Sequence, residues 1–344
     1  MIETDVLIIG AGPVGLFAVF ECGMLKMRTH VVDALDMVGG QCAALYPEKP
    51  IYDIPAHPSL TGEELIKNLQ AQIAPFHPTF HLGQQVEHLT HLPNGGFEVT
   101  TSKGTQFRVK AIIIAAGAGA FGPKRPPLAN LEDYEGSGVF YYVTQKERFR
   151  GKRLVIAGGG DSAVDWAIAL SDIAASVQVV HRRAQFRASP ETTARLHELA
   201  NAGRIELVVP YQLASLEGDA GTLTGVGVET LDGDRRLLAA DALLAFFGLS
   251  SNLGPLTQWG VEGPKGTFAI DPATGETNVP GIFACGDVAS YPHKLKLILT
   301  GFAEAAQSAH KAYAYVFPGK ALHFEHSTTS GVPSAGSEVI LNVA

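Results

Sequence analysis

Cysteine is scarce in this chain: three in 344 residues, Cys22, Cys42 and Cys285, far apart in sequence. So few thiols exclude a disulfide-stapled secreted scaffold and fit a reducing compartment. Long apolar runs are missing too. The richest stretch, residues 242–249, is preceded by Asp241 and falls well short of the ~20 residues that a membrane-spanning helix needs. The N-terminus enters a strand pattern at once, with neither the basic n-region nor the apolar h-region of a secretion signal. Positive charge is in deficit, with 26 Lys and Arg against 34 Asp and Glu, a formal net charge of −8. Such a chain is a poor general ligand for nucleic acid or anionic membranes. The histidines, among them His77, His81, His88 and His91, are too irregularly placed to suggest a metal site. A soluble, cytoplasmic protein is expected, binding neither nucleic acid nor membrane. What is present is 46% hydrophobic and 17% charged, ordinary for an α/β protein and long enough for two domains with real cores.

The first fifteen residues carry the strongest pattern. Thr4-Asp5-Val6-Leu7-Ile8-Ile9 reads as a strand buried on both faces. It runs into Gly10-Ala11-Gly12-Pro13-Val14-Gly15 and then into the helical pattern Leu16-Phe17-Ala18-Val19-Phe20. Strand, G-x-G-x-x-G and helix, with Asp33 closing the next apolar run, form the context of a dinucleotide-binding fingerprint. Gly10 permits the tight turn, Gly12 lets a pyrophosphate approach the backbone, and Gly15 lets helix and strand pack closely. The free N–H groups of the helix start attract the anion, and Asp33 accepts hydrogen bonds from a ribose.

After a loop rich in glycine and proline (Gly39-Gly40-Gln41-Cys42 through Tyr46-Pro47-Glu48-Lys49), Thr61 caps a helix expected to reach about residue 74. Val86 lies in a short strand. Phe97-Glu98-Val99-Thr100-Thr101 and Thr105-Gln106-Phe107-Arg108-Val109 alternate as a hairpin, and residues 111–117 form another buried strand. Then the opening pattern returns. Arg153-Leu154-Val155-Ile156-Ala157 leads into Gly158-Gly159-Gly160-Asp161-Ser162-Ala163, a G-x-G-x-x-A turn, followed by a helix and the apolar run Val177-Gln178-Val179-Val180. A later hairpin turns at Asp232-Gly233, and a strand follows at 242–247. The spacing from Gly158 to His181 equals that from Gly10 to Asp33, so the chain contains a domain-scale repeat. At the matched position the charge inverts. His181-Arg182-Arg183, with Arg187 close behind, would hold a 2′-phosphate that a carboxylate would repel. The two cradles therefore take different dinucleotides, the second preferring NADP(H).

Thr277-Asn278-Val279-Pro280-Gly281-Ile282-Phe283-Ala284-Cys285-Gly286-Asp287 resembles the second FAD signature of flavoproteins with two dinucleotide-binding domains. That resemblance implies that Asp287 contacts the ribityl chain and that a helix begins beside it, running to about residue 314. The implied fold is α/β with two Rossmann-like, three-layer domains. The FAD-binding domain would be discontinuous, 1–118 and 249–344, with an NADPH-binding domain, 119–248, inserted. The layout is similar to the thioredoxin reductase group, yet Tyr141-Tyr142-Val143-Thr144-Gln145-Lys146-Glu147 holds no C-x-x-C, and the Gly39-Gly40 pair is followed by one cysteine rather than two. Electrons therefore do not leave through a redox disulfide, which requires two thiols.

Tyr46-Pro47-Glu48-Lys49 with Ile51-Tyr52-Asp53, the second fingerprint through Trp166, His181-Arg182-Arg183 with Phe186-Arg187, and the tail His326-Ser327-Thr328-Thr329-Ser330 resemble the thioredoxin-reductase-like ferredoxin–NADP reductases of bacteria over nearly the whole chain. The resemblance implies that Tyr46 stacks on one flavin face and His326 covers the other. It also puts Gln41, Val86 (through its backbone), Phe121 and Thr328 at FAD contacts. It further implies a homodimer, domain rotation about glycine-rich junctions near 117–123 and 248–254, and electron flow between NADPH and ferredoxin or flavodoxin. The hydride would pass to flavin N5 and leave in one-electron steps, without catalytic acid or base. Docking an acidic carrier calls for a local basic patch, for which Lys124/Arg125, Arg148/Arg150/Lys152/Arg153 and Lys294/Lys296 are candidates. Two other readings stand beside this one: an NADPH oxidoreductase acting on quinone, free flavin or another small acceptor, and a non-enzymatic flavoprotein redox sensor.

Overall fold

A computed structural model describes residues 1–323, 331–332 and 342–343 of the chain. The residues form two compact units, Met1–Phe121 with Ser251–Ala344, and Gly122–Ser250.

The first unit is built on a parallel sheet whose order is Ile282–Ala284, Ala111–Ile114, Val6–Ile9, Thr29–Val32, Thr79–His81 and Asn342–Val343. The strands are apolar throughout because both faces are covered. On one face Val6, Ile8, Val31, Ile113 and Phe283 pack with side chains of the helices Pro13–Met24, Gly62–Ile73 and Ile298–Val316. On the other, Leu7, Ile9, Val32, Ile112 and Ile114 meet Phe97, Val99, Phe107 and Val109 from an antiparallel sheet. That gives three layers. Ile113 and Phe283 are fully buried, and truncating either to alanine costs about 2–5 kcal/mol. Thr61 caps the helix Gly62–Ile73 with a reciprocal Glu64 capping box.

The second unit repeats the scheme. Its parallel sheet runs Val139–Phe140, Ala242–Ala245, Arg153–Ala157, Ser176–Val180 and Glu206–Val208. An antiparallel sheet of Gln212–Asp219, Thr222–Glu229 and Arg235–Ala239 packs Val226, Val228 and Leu238 against Val155, Ala157, Val180 and Leu243. The helices Asp161–Leu170 and Pro190–Asn201 complete it.

Both fingerprint strands sit at a reversal of strand order. Val6–Ile9 lies between Thr29–Val32 and Ala111–Ile114, and Arg153–Ala157 lies between Ser176–Val180 and Ala242–Ala245. Open α/β sheets bind ligands at the carboxyl ends of strands at such switch points. One expectation is corrected here. Gly286–Val288 is a single 3₁₀ turn followed by the short strand Ala289–Ser290, and the α-helix starts only at Ile298. Pro292 and a left-handed His293 (φ 63°) intervene, and both interrupt helical backbone.

Candidate functional site

A cleft of about 300 Å³ opens at the carboxyl ends of the first unit's strands, within the size range of small-molecule sites. Its lining draws on both ends of the chain: Gly10 and Gly12, Asp33, Gln41, Tyr46 and Val86 early, Gly286 and Asp287 late. The three fingerprint glycines have three distinct surroundings. A Cβ on Gly10, whose φ is +111°, would lie 2.3 Å from the Ala115 carbonyl oxygen, and one on Gly15 only 1.9 Å from the Gly10 carbonyl oxygen. At Gly12 it would meet nothing nearer than Gly40 Cα at 3.9 Å. Gly10 and Gly15 are thus held by packing, whereas the space over Gly12 is open toward the cleft. The helix Pro13–Met24 begins there with Gly12 as its N-cap and no side-chain cap, leaving donors for an anion.

Asp33 stands at the end of Thr29–Val32. Its Oδ2 accepts the Ala11 N–H at 2.6 Å and its Oδ1 the Leu35 N–H at 2.8 Å. Burial raises its pKa, and those two donors pull the other way. Tyr46 lines the cleft with its phenol pushed up by burial, and its oxygen accepts the Cys42 thiol at 3.6 Å. Val86 is 2% exposed at the start of the strand Val86–His91. Phe121 lies in the strand Ala120–Pro123, while its side chain, with His326 and Thr328, lies outside the described residues.

Sequence reasoning missed several residues in this region. Gln84, Gln85, Leu253, Leu256 and Ile298 also line the cleft. Behind the Gly286 turn, the buried Glu304 carboxylate accepts the Gly286 N–H at 2.8 Å, the Tyr291 hydroxyl at 2.7 Å and Lys294 Nζ. Lys294 is therefore no part of an exposed basic patch. Arg125, Arg150 and Arg153 are likewise committed to local carboxylates, Glu132 and Glu135, Glu147, and Asp241 respectively.

The second cradle repeats the first with altered details. Gly158 (φ +153°) would place a Cβ 2.8 Å from the Phe246 carbonyl oxygen, whereas a Cβ on Gly160 would meet nothing within 4 Å. The helix Asp161–Leu170 starts at Gly160, again without a side-chain cap. Asp161 and Ser162 are exposed on its first turn and Ala163 is buried. Asp161 Oδ1 accepts the Ser189 N–H at 2.9 Å, and the Gly159 carbonyl accepts the Arg187 N–H at 2.7 Å, tying the arginine loop to the glycine turn. His181 is not presented as a cation. Its ring lies against Gly159, stacks on Phe186 with centroids 5.3 Å apart, and is held low in pKa by burial and by the neighbouring arginines. Arg182, Arg183 and Arg187 are exposed and make no ion pair among the described residues. Free guanidinium groups stand out in a chain whose other arginines are mostly paired with Asp or Glu, and they suit a phosphate.

Two fingerprint cradles, one in each unit, define a pyridine nucleotide-disulphide oxidoreductase, and the chain belongs to that family, whose profile matches residues 4–314. It is 62% identical over 331 residues to the ferredoxin–NADP reductase of Paramagnetospirillum magneticum, covering 96% of this chain and 98% of that one. Against the ferredoxin–NADP reductase of Rhodospirillum rubrum it is 60% identical over 335 residues, covering 96% and 97%. Among solved structures it resembles Lactococcus lactis thioredoxin reductase in the FR conformation, with a TM-score of 0.77, 26% identity, and coverage of 91% and 99%. The disulphide in the family's name has no counterpart here: Cys22, Cys42 and Cys285 are all free and buried. No helix among the described residues is long and apolar enough to cross a membrane.

Proposed function

We propose that this chain is a ferredoxin–NADP reductase, a flavoprotein that moves electrons between NADPH and ferredoxin or a flavodoxin without a redox disulfide. One observation carries the reading: two cradles of like geometry end in opposite charge, a backbone-anchored Asp33 in one and three unpaired arginines in the other. The shared name of relatives at 60% identity and above supports it. The unit Met1–Phe121 with Ser251–Ala344 is the FAD-binding domain and Gly122–Ser250 the NADPH-binding domain.

The residues present fit both dinucleotides. For FAD, the open face of Gly12 and the uncapped helix start receive phosphate, Asp33 retains lone pairs for ribose hydroxyls, and Gln41, Tyr46, Val86, Gly286 and Asp287 line the remaining cleft. For NADPH, Gly158, Gly160, Asp161, Ser162 and Ala163 form the cradle, and Arg182, Arg183 and Arg187 hold the 2′-phosphate. When bound, FAD supplies hydride acceptance and single-electron release, chemistry that no side chain offers. The protein's part is to bind and orient. Its cysteines are withheld from exchange, since burial raises the pKa of each thiol and blocks access. We further read it as a cytoplasmic homodimer, which sedimentation of the purified protein tests.

The deciding experiment is anaerobic. NADPH should bleach the yellow absorbance of the purified protein, and ferredoxin added in a stopped-flow instrument should restore it. Material that stays colourless after reconstitution with FAD overturns the flavoprotein assignment. Turnover with quinone but not with ferredoxin would transfer the protein to the class of small-acceptor reductases.

A further inference from the structure

The buried Glu304 gathers three donors on one carboxylate: the Gly286 N–H, the Tyr291 hydroxyl and the Lys294 ammonium. The Glu304 and Lys294 side chains are 3% and 6% exposed. An ion pair taken this far out of water is costly unless its remaining hydrogen-bonding capacity is met, and a hydrophobic pair of similar size often serves stability as well. Its placement shows what it acts on. Gly286 precedes Asp287, the carboxylate that lines the cleft, and has φ +77°, a left-handed conformation that a single N–H bond can hold in place. One turn ahead of Glu304, Gly301 brings the helix Ile298–Val316 so close to the same turn that a Cβ there would lie 2.4 Å from Val14 and 3.1 Å from Gly286 Cα. Val14 belongs to the helix Pro13–Met24, at the first fingerprint. The carboxylate thus stands where the late Gly286–Asp287 turn meets the early glycine cradle.

We infer that Glu304 is a positioning residue for the flavin cofactor. Held by Lys294 and Tyr291, it fixes the Gly286 N–H and thereby sets Asp287 in the cleft. The inference rests on the reading that this cleft holds FAD.

The test compares Glu304→Gln, Lys294→Met, the two combined, and the milder Tyr291→Phe in the full-length protein. Three quantities are measured: the FAD dissociation constant from fluorescence of released flavin, the unfolding temperature of the apoprotein, and the affinity for 2′,5′-ADP. Glu304→Gln leaves the buried Lys294 without its counter-charge and should weaken FAD at least about tenfold. The combined variant, neutral again, should recover part of that loss, and Tyr291→Phe should cost about twofold to fivefold. Affinity for 2′,5′-ADP should not move. FAD affinity unchanged in the folded variants, even with a lowered unfolding temperature, makes the network structural and overturns the inference. Should Glu304→Gln fail to fold, Tyr291→Phe decides alone by the same criterion. A wild-type protein that binds no FAD would instead remove the underlying reading of the cleft.

Discussion

In the first unit the strand that follows the glycine turn ends in Asp33, whose carboxylate oxygens are each engaged by a backbone N–H. In the second, the matching strand runs into His181, folded against Gly159, and three guanidinium groups with no acidic partner among the described residues. The turns also differ in how full they are. Gly15 has no room for a methyl group, while the matched Ala163 carries one in a buried position. Even the strands answer one another with different chemistry. His30 pairs with His81 across to the neighbouring strand at 2.8 Å, whereas the matched Gln178 donates to Glu206 at 2.9 Å. The repeated backbone is thus kept while a few side chains at matched positions are exchanged, which on the proposed reading lets one supersecondary unit serve two coenzymes.

Substitution at matched positions should break this parallel in graded ways. The largest effect is expected at Gly15→Ala, which drives a methyl group into the Gly10 carbonyl. It should cost more than about 3 kcal/mol in chemical denaturation, against about 1 kcal/mol for Ala163→Gly. Equal losses would mean the two turns are packed alike. Next, Arg182→Ala with Arg183→Ala removes two charge-assisted contacts worth about 1.5–3 kcal/mol each. The KM for NADPH should rise at least about 100-fold, with that for NADH little changed; parallel rises would show that the arginines do not read the 2′-phosphate.

A smaller, reciprocal effect is expected at the open glycines. Gly12→Ala and Gly160→Ala fill space that the protein leaves empty, and both residues already have ordinary φ values, −73° and −101°. Stability should stay within about 0.5 kcal/mol in each. Gly12→Ala should weaken FAD about tenfold without touching NADPH, and Gly160→Ala the converse. If either variant disturbs both coenzymes, the sites are not separate.

The least effect concerns pH. Burial, with His81 and Arg28 nearby, lowers the His30 pKa to about 4. The unfolded chain, titrating near 6.5, therefore takes up protons first. The stability tied to this ring is complete above about pH 6.5 and is lost as the pH falls toward 4, with the His30–His81 pair titrating as one system. His30→Gln, which copies Gln178, should flatten the fall in unfolding free energy below neutrality by up to about 2 kcal/mol, allowing for the partly exposed ring. An unchanged pH slope would place the sensitivity elsewhere.

Much of this was legible in the sequence because the informative residues are local. A buried strand, spaced glycines and an acid or base at a fixed offset lie within one short segment, so Gly10 through Asp33 and Gly158 through Arg187 announce themselves. Gln84, Leu253 and Leu256 do not, because each is an ordinary residue that only the fold brings to the cleft, and Glu304 is equally silent because it acts on the Gly286 turn from behind. Lys294 misled for the related reason that its burial depends on a carboxylate ten positions away on a later helix. The resemblance implies a helix entry at Gly286-Asp287, whereas a 3₁₀ turn and a short strand follow there, Pro292 and the left-handed His293 interrupt helical backbone, and the α-helix starts at Ile298.

Lining one cleft with both Asp33 and Asp287 has a consequence during synthesis. The intervening unit, complete by Ser250, can fold while the ribosome is still adding the strand Ile282–Ala284, which must dock beside Ala111–Ile114 before the opening segment has a finished pocket. The nascent polypeptide thus carries only half of the cleft lining until Gly286, Asp287 and the start of the helix Ile298–Val316 have emerged.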